Sequence, residues 1–233
     1  AHPTLRNHLR AAATADNPYW NPAGLGWITS NEITTSQTKL STDSDLYYLS
    51  YVRPALGGTI GVSWVQIALG QITITSSEVD PNNQVQNLGT FSYFSNAYLF
   101  AYGRKINDQL SLGLTGKYLA SDMGTVTGGQ ASGYSFSPAV LAKFKNLPLS
   151  VGIVIDDIIN QISWGTGAVE TFTPNLRLGL AYRQEKLGLF SLDINQPLKS
   201  NYAPSLAAGF EWRQDGCLAL RFGYADGSPT AGA

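Results

Sequence analysis

Ser205-Leu206-Ala207-Ala208-Gly209-Phe210-Glu211-Trp212-Arg213, a turn at 214–216, and Cys217-Leu218-Ala219-Leu220-Arg221-Phe222-Gly223-Tyr224 carry the pattern that decides the fold. Successive side chains of an extended strand point to opposite faces. Leu206, Ala208, Phe210 and Trp212 therefore oppose Ser205, Gly209, Glu211 and Arg213. After the turn, Leu218, Leu220, Phe222 and Tyr224 oppose Cys217, Ala219, Arg221 and Gly223. The same division recurs upstream. Leu110, Leu112, Leu114 and Tyr118 oppose Ser111, Thr115 and Lys117, and Leu176, Leu178, Leu180 and Tyr182 oppose Arg177, Gly179, Ala181 and Arg183. One face is aliphatic with an aromatic at its end; the other is small, polar or charged. Two architectures accept this pattern. In a soluble sandwich the apolar face is the core and the polar face meets water; in a membrane barrel the apolar face meets lipid and the small-polar face meets the lumen.

Composition leans toward the second. Charged residues are 13% of the 233, about half the roughly 25% of ordinary soluble domains, so the polar content is Ser, Thr, Asn and Gln. The 24 glycines, 12 tyrosines and 5 tryptophans suit crowded barrel interiors and interfacial aromatic girdles. The length fits one all-β unit. A net charge of −1 gives no footing for nucleic acid. The single cysteine, Cys217, excludes an intrachain disulfide framework and a cysteine-based zinc site. No apolar run reaches the roughly 20 residues of a spanning helix. The start at Ala1 has no signal-peptide pattern, as expected of a mature exported chain.

The connections alternate in length. Those at 54–58, 106–109, 146–148, 184–186 and 214–216 are short, whereas 70–89, 121–132, 157–174 and 197–204 are long and rich in Gly, Ser, Thr and Asn. Outer-membrane barrels join short periplasmic turns to long extracellular loops; a Greek-key sandwich has no reason to. The pattern predicts an all-β, antiparallel transmembrane barrel over 31–233, preceded by an irregular N-terminal segment over 1–30. About eleven strands are expected, an odd number where bacterial barrels close with even ones. Cys217–Tyr224 would then leave an unpaired edge, which lipid does not tolerate. Missing C-terminal strands, or strands from another chain, are therefore expected.

Ahead of the strands stands Tyr19-Trp20-Asn21-Pro22-Ala23-Gly24-Leu25-Gly26. Asn17 and Asn21 each precede a proline and are pushed away from the α region, so this is a turn unit bearing apolar side chains. The stretch resembles the YWNPAGL signature of the PorV/PorQ family, within the FadL-like outer-membrane barrels. Thr173–Tyr182 is similar to that family's P-x-x-L-R-L-G-x-A-Y strand. Ser191-Leu192-Asp193-Ile194, Gly209-Phe210-Glu211-Trp212 and Leu220-Arg221-Phe222-Gly223-Tyr224 resemble further strands in the same order. The resemblance spans most of 10–226 and implies a barrel of about 14 strands, with the N-terminal segment over 1–30 in the lumen as a plug or hatch. It departs in lacking the last three strands and part of the glycine-rich lead.

Tyr19, Trp20, Asn21, Pro22, Ala23, Gly24 and Leu25 are the candidate plug, against the alternative that they only turn the chain into the first strand. Lys117, Lys143, Arg177, Asp193, Glu211 and Arg221 are placed in the lumen by strand parity. They would form a polar network or simply a solvated wall; opposite-sign pairing is expected in both cases. No catalytic or metal site is expected. His2 and His8 lie in the irregular start, and Asp156-Asp157, weighed for acid–base or Ca²⁺ chemistry, has no third ligand at a telling spacing. No cofactor is implied.

The resemblance implies a bacterial outer-membrane protein in contact with lipid. Its PorV-like function would be binding of partner or exported proteins at the extracellular face, within a secretion or cell-surface assembly. A FadL-like channel for hydrophobic small molecules is the alternative, and a soluble β-sandwich or adhesin module a third.

Overall fold

In the computed structural model the alternating runs become one antiparallel sheet. Residues 17–41, 44–79, 85–184, 188–199, 202–214, 218–225 and 227–232 are described; His2, His8, Cys217 and the expected helical turn at 5–15 lie outside them. The strands are β1 (Glu32–Ser41), β2 (Ser44–Ala55), β3 (Gly58–Val79), β4 (Val85–Lys105), β5 (Leu110–Asp122), β6 (Gln130–Lys143), β7 (Leu149–Asp156), β8 (Ile159–Trp164), β9 (Val169–Glu170), β10 (Asn175–Gln184), β11 (Gly188–Pro197), β12 (Ser205–Gln214), β13 (Leu218–Ala225) and β14 (Ser228–Gly232). They form a 14-stranded sheet in sequence order, with β7 passing directly to β10, while β8 pairs β6 and β9 pairs β8. The path ends at β1 and β14, which pair with each other nowhere among the described residues.

The expected count of about eleven strands is too low. β8 and β9 fold back inside the connection read as a loop at 157–174, and β14 follows the strand expected to be last. The unpaired edge placed at Cys217–Tyr224 is occupied by β14, from Arg221 opposite Gly232 to Ala225 opposite Ser228. The connection read as a loop at 70–89 is also a strand pair. β3 leaves β2 at Leu69 and β4 meets β5 only from Phe94, so the ends of β3 and β4 stand out as a two-stranded hairpin. A register break between Leu69 and Ile72 marks its base, where Gln71 has φ 55°. An extra residue at a bulge bends a strand and sharpens its twist.

Burial separates the two architectures. On β4, Leu99 is 0% exposed while its neighbour Phe100 is 60% exposed. Leu112, Leu114, Leu180, Leu192 and Phe222 are exposed on the apolar face, whereas Ser50, Ser63, Ser111, Thr115, Ser135 and Ser137 are buried on the other. A soluble sandwich would bury the leucines. Here the sheet curves with its hydroxyls inward and its hydrocarbon outward, as a barrel wall in lipid requires. Trp64, Tyr98, Tyr118 and Tyr134 stand opposite one another across β3 to β6, an aromatic band at one height of the outer face. Asn96 Oδ1, accepting from Trp64 Nε1 at 3.0 Å and Gln66 Nε2 at 2.9 Å, marks where that face turns polar.

Candidate functional site

The segment before β1 begins with a helical turn, α1 (Asn17–Trp20), and continues as a 3₁₀ helix, Pro22–Trp27. Its local sequence explains the joint. Asn21 is extended at φ −154°, ψ 95°, and its Oδ1 accepts from Ala23 N–H at 3.0 Å, the N-cap arrangement that satisfies an orphan donor. Pro22 follows at the first helical position, where its missing N–H costs nothing.

This segment lies against the inner face of the sheet. Leu25 and Ile28 pack with Val52 and Ala101, and Ala23 packs with Ala139, Leu141 and Val154. Its carbonyls are held from the wall: Thr115 Oγ1 donates to Pro18 O at 2.9 Å, Ser111 Oγ to Ala23 O at 2.7 Å, and Thr59 Oγ1 to Ile28 O at 3.3 Å. Glycines make room for it. A Cβ on Gly113 would stand 2.2 Å from Ala23 N, and one on Gly103 would stand 2.3 Å from Pro22 O. Gly61, on β3, likewise faces Pro18 and Leu25. The wall is cut to the shape of the backbone it holds.

Tyr19 and Trp20 close the other side of the segment, rings edge-on with centroids 4.7 Å apart. They border a cavity of about 410 Å³, whose far wall is built by β7, β10, β11 and β12. Beside it four charges meet. Arg177 forms a forked pair with Asp156, Nη2 donating to Oδ1 at 2.8 Å and Nε contacting Oδ2. Lys117 Nζ donates to Asp157 Oδ1 at 2.8 Å and stands 3.9 Å from Asp156. Arg177 also lies 5.6 Å from the centre of the Trp20 ring. Asp157, in the left-handed region at φ 55°, is fixed there by donors from Ser135 and Lys117, and its own N–H donates to Ser137 Oγ at 3.0 Å. Asn160 then ties the start of the 157–174 connection to its far end through Asp157 O and Phe172.

The six polar residues assigned to the lumen thus separate into distinct places. Lys117 and Arg177 join the charge cluster, and Asp193 lines the cavity. Glu211 is paired apart from them, accepting from Arg221 Nε at 2.7 Å between β12 and β13. Lys143 sits at the short-turn end, its Nζ 4.0 Å from the centre of the Trp27 ring, with Lys105 at 4.7 Å. Trp27 Nε1 in turn donates to Ser111 Oγ at 2.8 Å. The role of Asp156 and Asp157 as partners for lumenal cations escaped the sequence reading, as did the glycine bed. The available signal was a carboxylate pair at a strand end, on a wall already carrying cations that need partners. Among the described residues, no group of three or more His, Cys, Asp or Glu could hold a metal.

These features define a class: a transmembrane β-barrel wall with its N-terminal segment seated in the lumen beside a mixed polar and aromatic cavity. No protein-family model and no curated protein matches the sequence. Among solved structures the chain is similar to the CymD monoaromatic hydrocarbon channel, at 12% identity over 93% of this chain and 90% of that one, with a TM-score of 0.45. The fold stands here on the sheet and its burial pattern.

Proposed function

We propose that this protein is a gated channel of the bacterial outer membrane for small molecules, FadL-like rather than PorV-like, with residues 17–28 as the closure. The observation that carries the reading is the seating of that segment on inner-face glycines, beside a cavity of small-molecule size. Ligand sites of a few hundred Å³ lined by aromatic and apolar groups with a few polar ones are the ordinary form for small molecules. The aromatic pair Tyr19–Trp20, with Leu141 and Val154 opposite, gives cargo with apolar surface a place to rest. The Trp20 ring and the Tyr19 carbonyl rest on the Arg177 guanidinium, which Asp156 holds in place, and this contact acts as a latch on the seated segment.

The test is conductance in planar bilayers. Leu25→Ala with Ile28→Ala shaves the packed side of the segment and is expected to raise conductance. A variant that folds, judged by heat-modifiable migration, and conducts like the parent refutes the closure.

A second reading, surface binding of protein partners, draws on the hairpin beyond Leu69 and Phe94. It carries exposed Leu88 and half-buried Ile72, Ile74 and Phe91. A stoichiometric partner released by trimming that hairpin supports this reading; unchanged composition of the detergent-extracted complex removes it.

A further inference from the structure

The cavity beside Trp20 has a lining that narrows the class of its occupant. We propose that it binds a small neutral polyhydroxylated ring, of monosaccharide kind, with the apolar face of the ring against Trp20 and its hydroxyls on Asn175, Asn195 and Ser205. The inference rests on the channel reading above but departs from a purely hydrophobic cargo, naming for that same lumen a polar ligand with one apolar face.

Register brings the polar groups together. Arg177 stands opposite Asn195 and Asn195 opposite Ser205. Asn175 lies two residues before Arg177 on β10, on the same face and about 7 Å along the strand. The two carboxamides and the Ser205 hydroxyl line the cavity, are partly buried, and have no hydrogen-bond partner among the described residues. A carboxamide offers two donors and an acceptor oxygen, and a hydroxyl offers one of each kind, which matches the two-way hydrogen bonding of a sugar hydroxyl. A pure hydrocarbon would strip water from these groups and return nothing, leaving them unsatisfied.

Charge weighs against the other polar classes. The cations at the cavity, Lys117 and Arg177, are already engaged by Asp157 and Asp156. With Asp193 included, the cavity holds two positive and three negative side chains, a formal balance of −1. A carboxylate or phosphate would have to open the Arg177 fork and face the remaining acids. An organic cation would find Asp156 and Asp157 already paired. A neutral ring with one apolar face avoids both costs, because C–H faces rest on aromatic rings while the rim hydrogen-bonds.

The experiment uses the full chain in detergent micelles, with radiolabelled D-glucose, hexanoate and toluene as probes in equilibrium dialysis. Conductance of Gly113→Ala is measured in parallel. Glucose is expected to bind saturably, and Asn195→Leu to weaken it about tenfold, the effect of one hydrogen bond lost with its partner left unpaired. Asn175→Leu supplies the same reading should Asn195→Leu not fold. Saturable hexanoate or toluene binding without glucose binding overturns the proposal. Raised conductance in Gly113→Ala without glucose binding overturns it while the channel stands. Glucose binding with no change in conductance supports the site and removes the channel.

Discussion

Gly113→Ala adds a single carbon where the structure has least room for one. The added Cβ would sit 2.2 Å from both Ala23 N and Pro22 C, against the 3.4 Å at which ordinary contact begins. The seated segment must therefore retreat by 3.4 − 2.2, about 1.2 Å, or the strand must move. Both atoms are backbone, so no side chain can swing aside. Moving straight away by that amount would stretch the Ser111 bond to Ala23 O from 2.7 Å to roughly 3.9 Å, outside hydrogen-bond range. Overpacking of this kind costs about 1–3 kcal/mol, and the lost hydrogen bond about 1 more. Taken near the middle, about 3 kcal/mol shifts the balance between seated and released segment by roughly a hundredfold. Conductance of Gly113→Ala should rise in planar bilayers, and the segment should become open to protease. Gly103→Ala, whose Cβ would meet Pro22 O at 2.3 Å, should act alike. Gly70→Ala, with nothing within 4 Å, should leave both readings unchanged. A folded Gly113→Ala with parental conductance and parental protection would show that the segment is not held by this bed.

Arg177→Gln should destabilise the fold by about 3 kcal/mol in urea titration, the low end for breaking a buried pair, because the Arg177 side chain is still 24% exposed. Asp156→Asn in the same chain should restore part of that loss, as a coupled pair requires. Leu114→Arg, in the exposed apolar row, should cost about 2–4 kcal/mol in refolding into vesicles, against about 0–1 for Tyr118→Arg in the aromatic band, since arginine is expensive at the bilayer midplane and tolerated near its edge. In the short turn, Asp108 is held below the ordinary carboxylate range, first by a hydrogen bond from Lys105 and then by the charges of Lys105 and Lys145. A depressed folded value contributes stability that is present above the unfolded value and lost as pH falls through the folded one. Lys105→Met should raise the Asp108 titration seen by carboxyl NMR.

The two faces of the sheet were legible because the strand period is local. Leu110, Leu112 and Leu114 against Ser111 and Thr115 needs no knowledge of what lies opposite. The strand number was not legible, because the missed elements lack that signature. β14 is Ser-Pro-Thr-Ala-Gly, and β8 and β9 sit in a Gly- and Thr-rich connection, where β8 draws its pairing from β6 and β9 from β8 rather than from a hydrophobic face. The β3–β4 hairpin was hidden by its Ser, Thr, Asn and Gln content, although Ile72, Ile74, Phe91 and Tyr93 keep the alternation. At the site, the N-terminal stretch announced a turn, yet its bed of Gly61, Gly103 and Gly113 lies 35 to 89 positions downstream of Gly24 to Gly26 in a wall where glycine is common. Asp156 and Arg177 are 21 residues apart and meet only because β7 pairs with β10.

The way the segment is held bears on whether it can leave. Three wall hydroxyls, on Thr59, Ser111 and Thr115, each give a bond to a main-chain carbonyl. When the segment withdraws, water can take either end of each bond, so the net loss is about 1 kcal/mol apiece rather than the several expected for an orphaned charge. The fork between Arg177 and Asp156 is closed within the wall and does not have to break; only the Trp20 ring and the Tyr19 carbonyl part from the guanidinium. Trp27 also gives up its Nε1–H bond to Ser111 Oγ and the Lys105 and Lys143 ammonium groups over its ring, and what remains is shape. The glycines let Pro22, Ala23 and Leu25 approach so closely that a small displacement forfeits most of the dispersion contact. A closure built this way is steep in position but modest in total energy. That combination suits a segment that must exclude solutes when seated and yield when a ligand competes for Trp20.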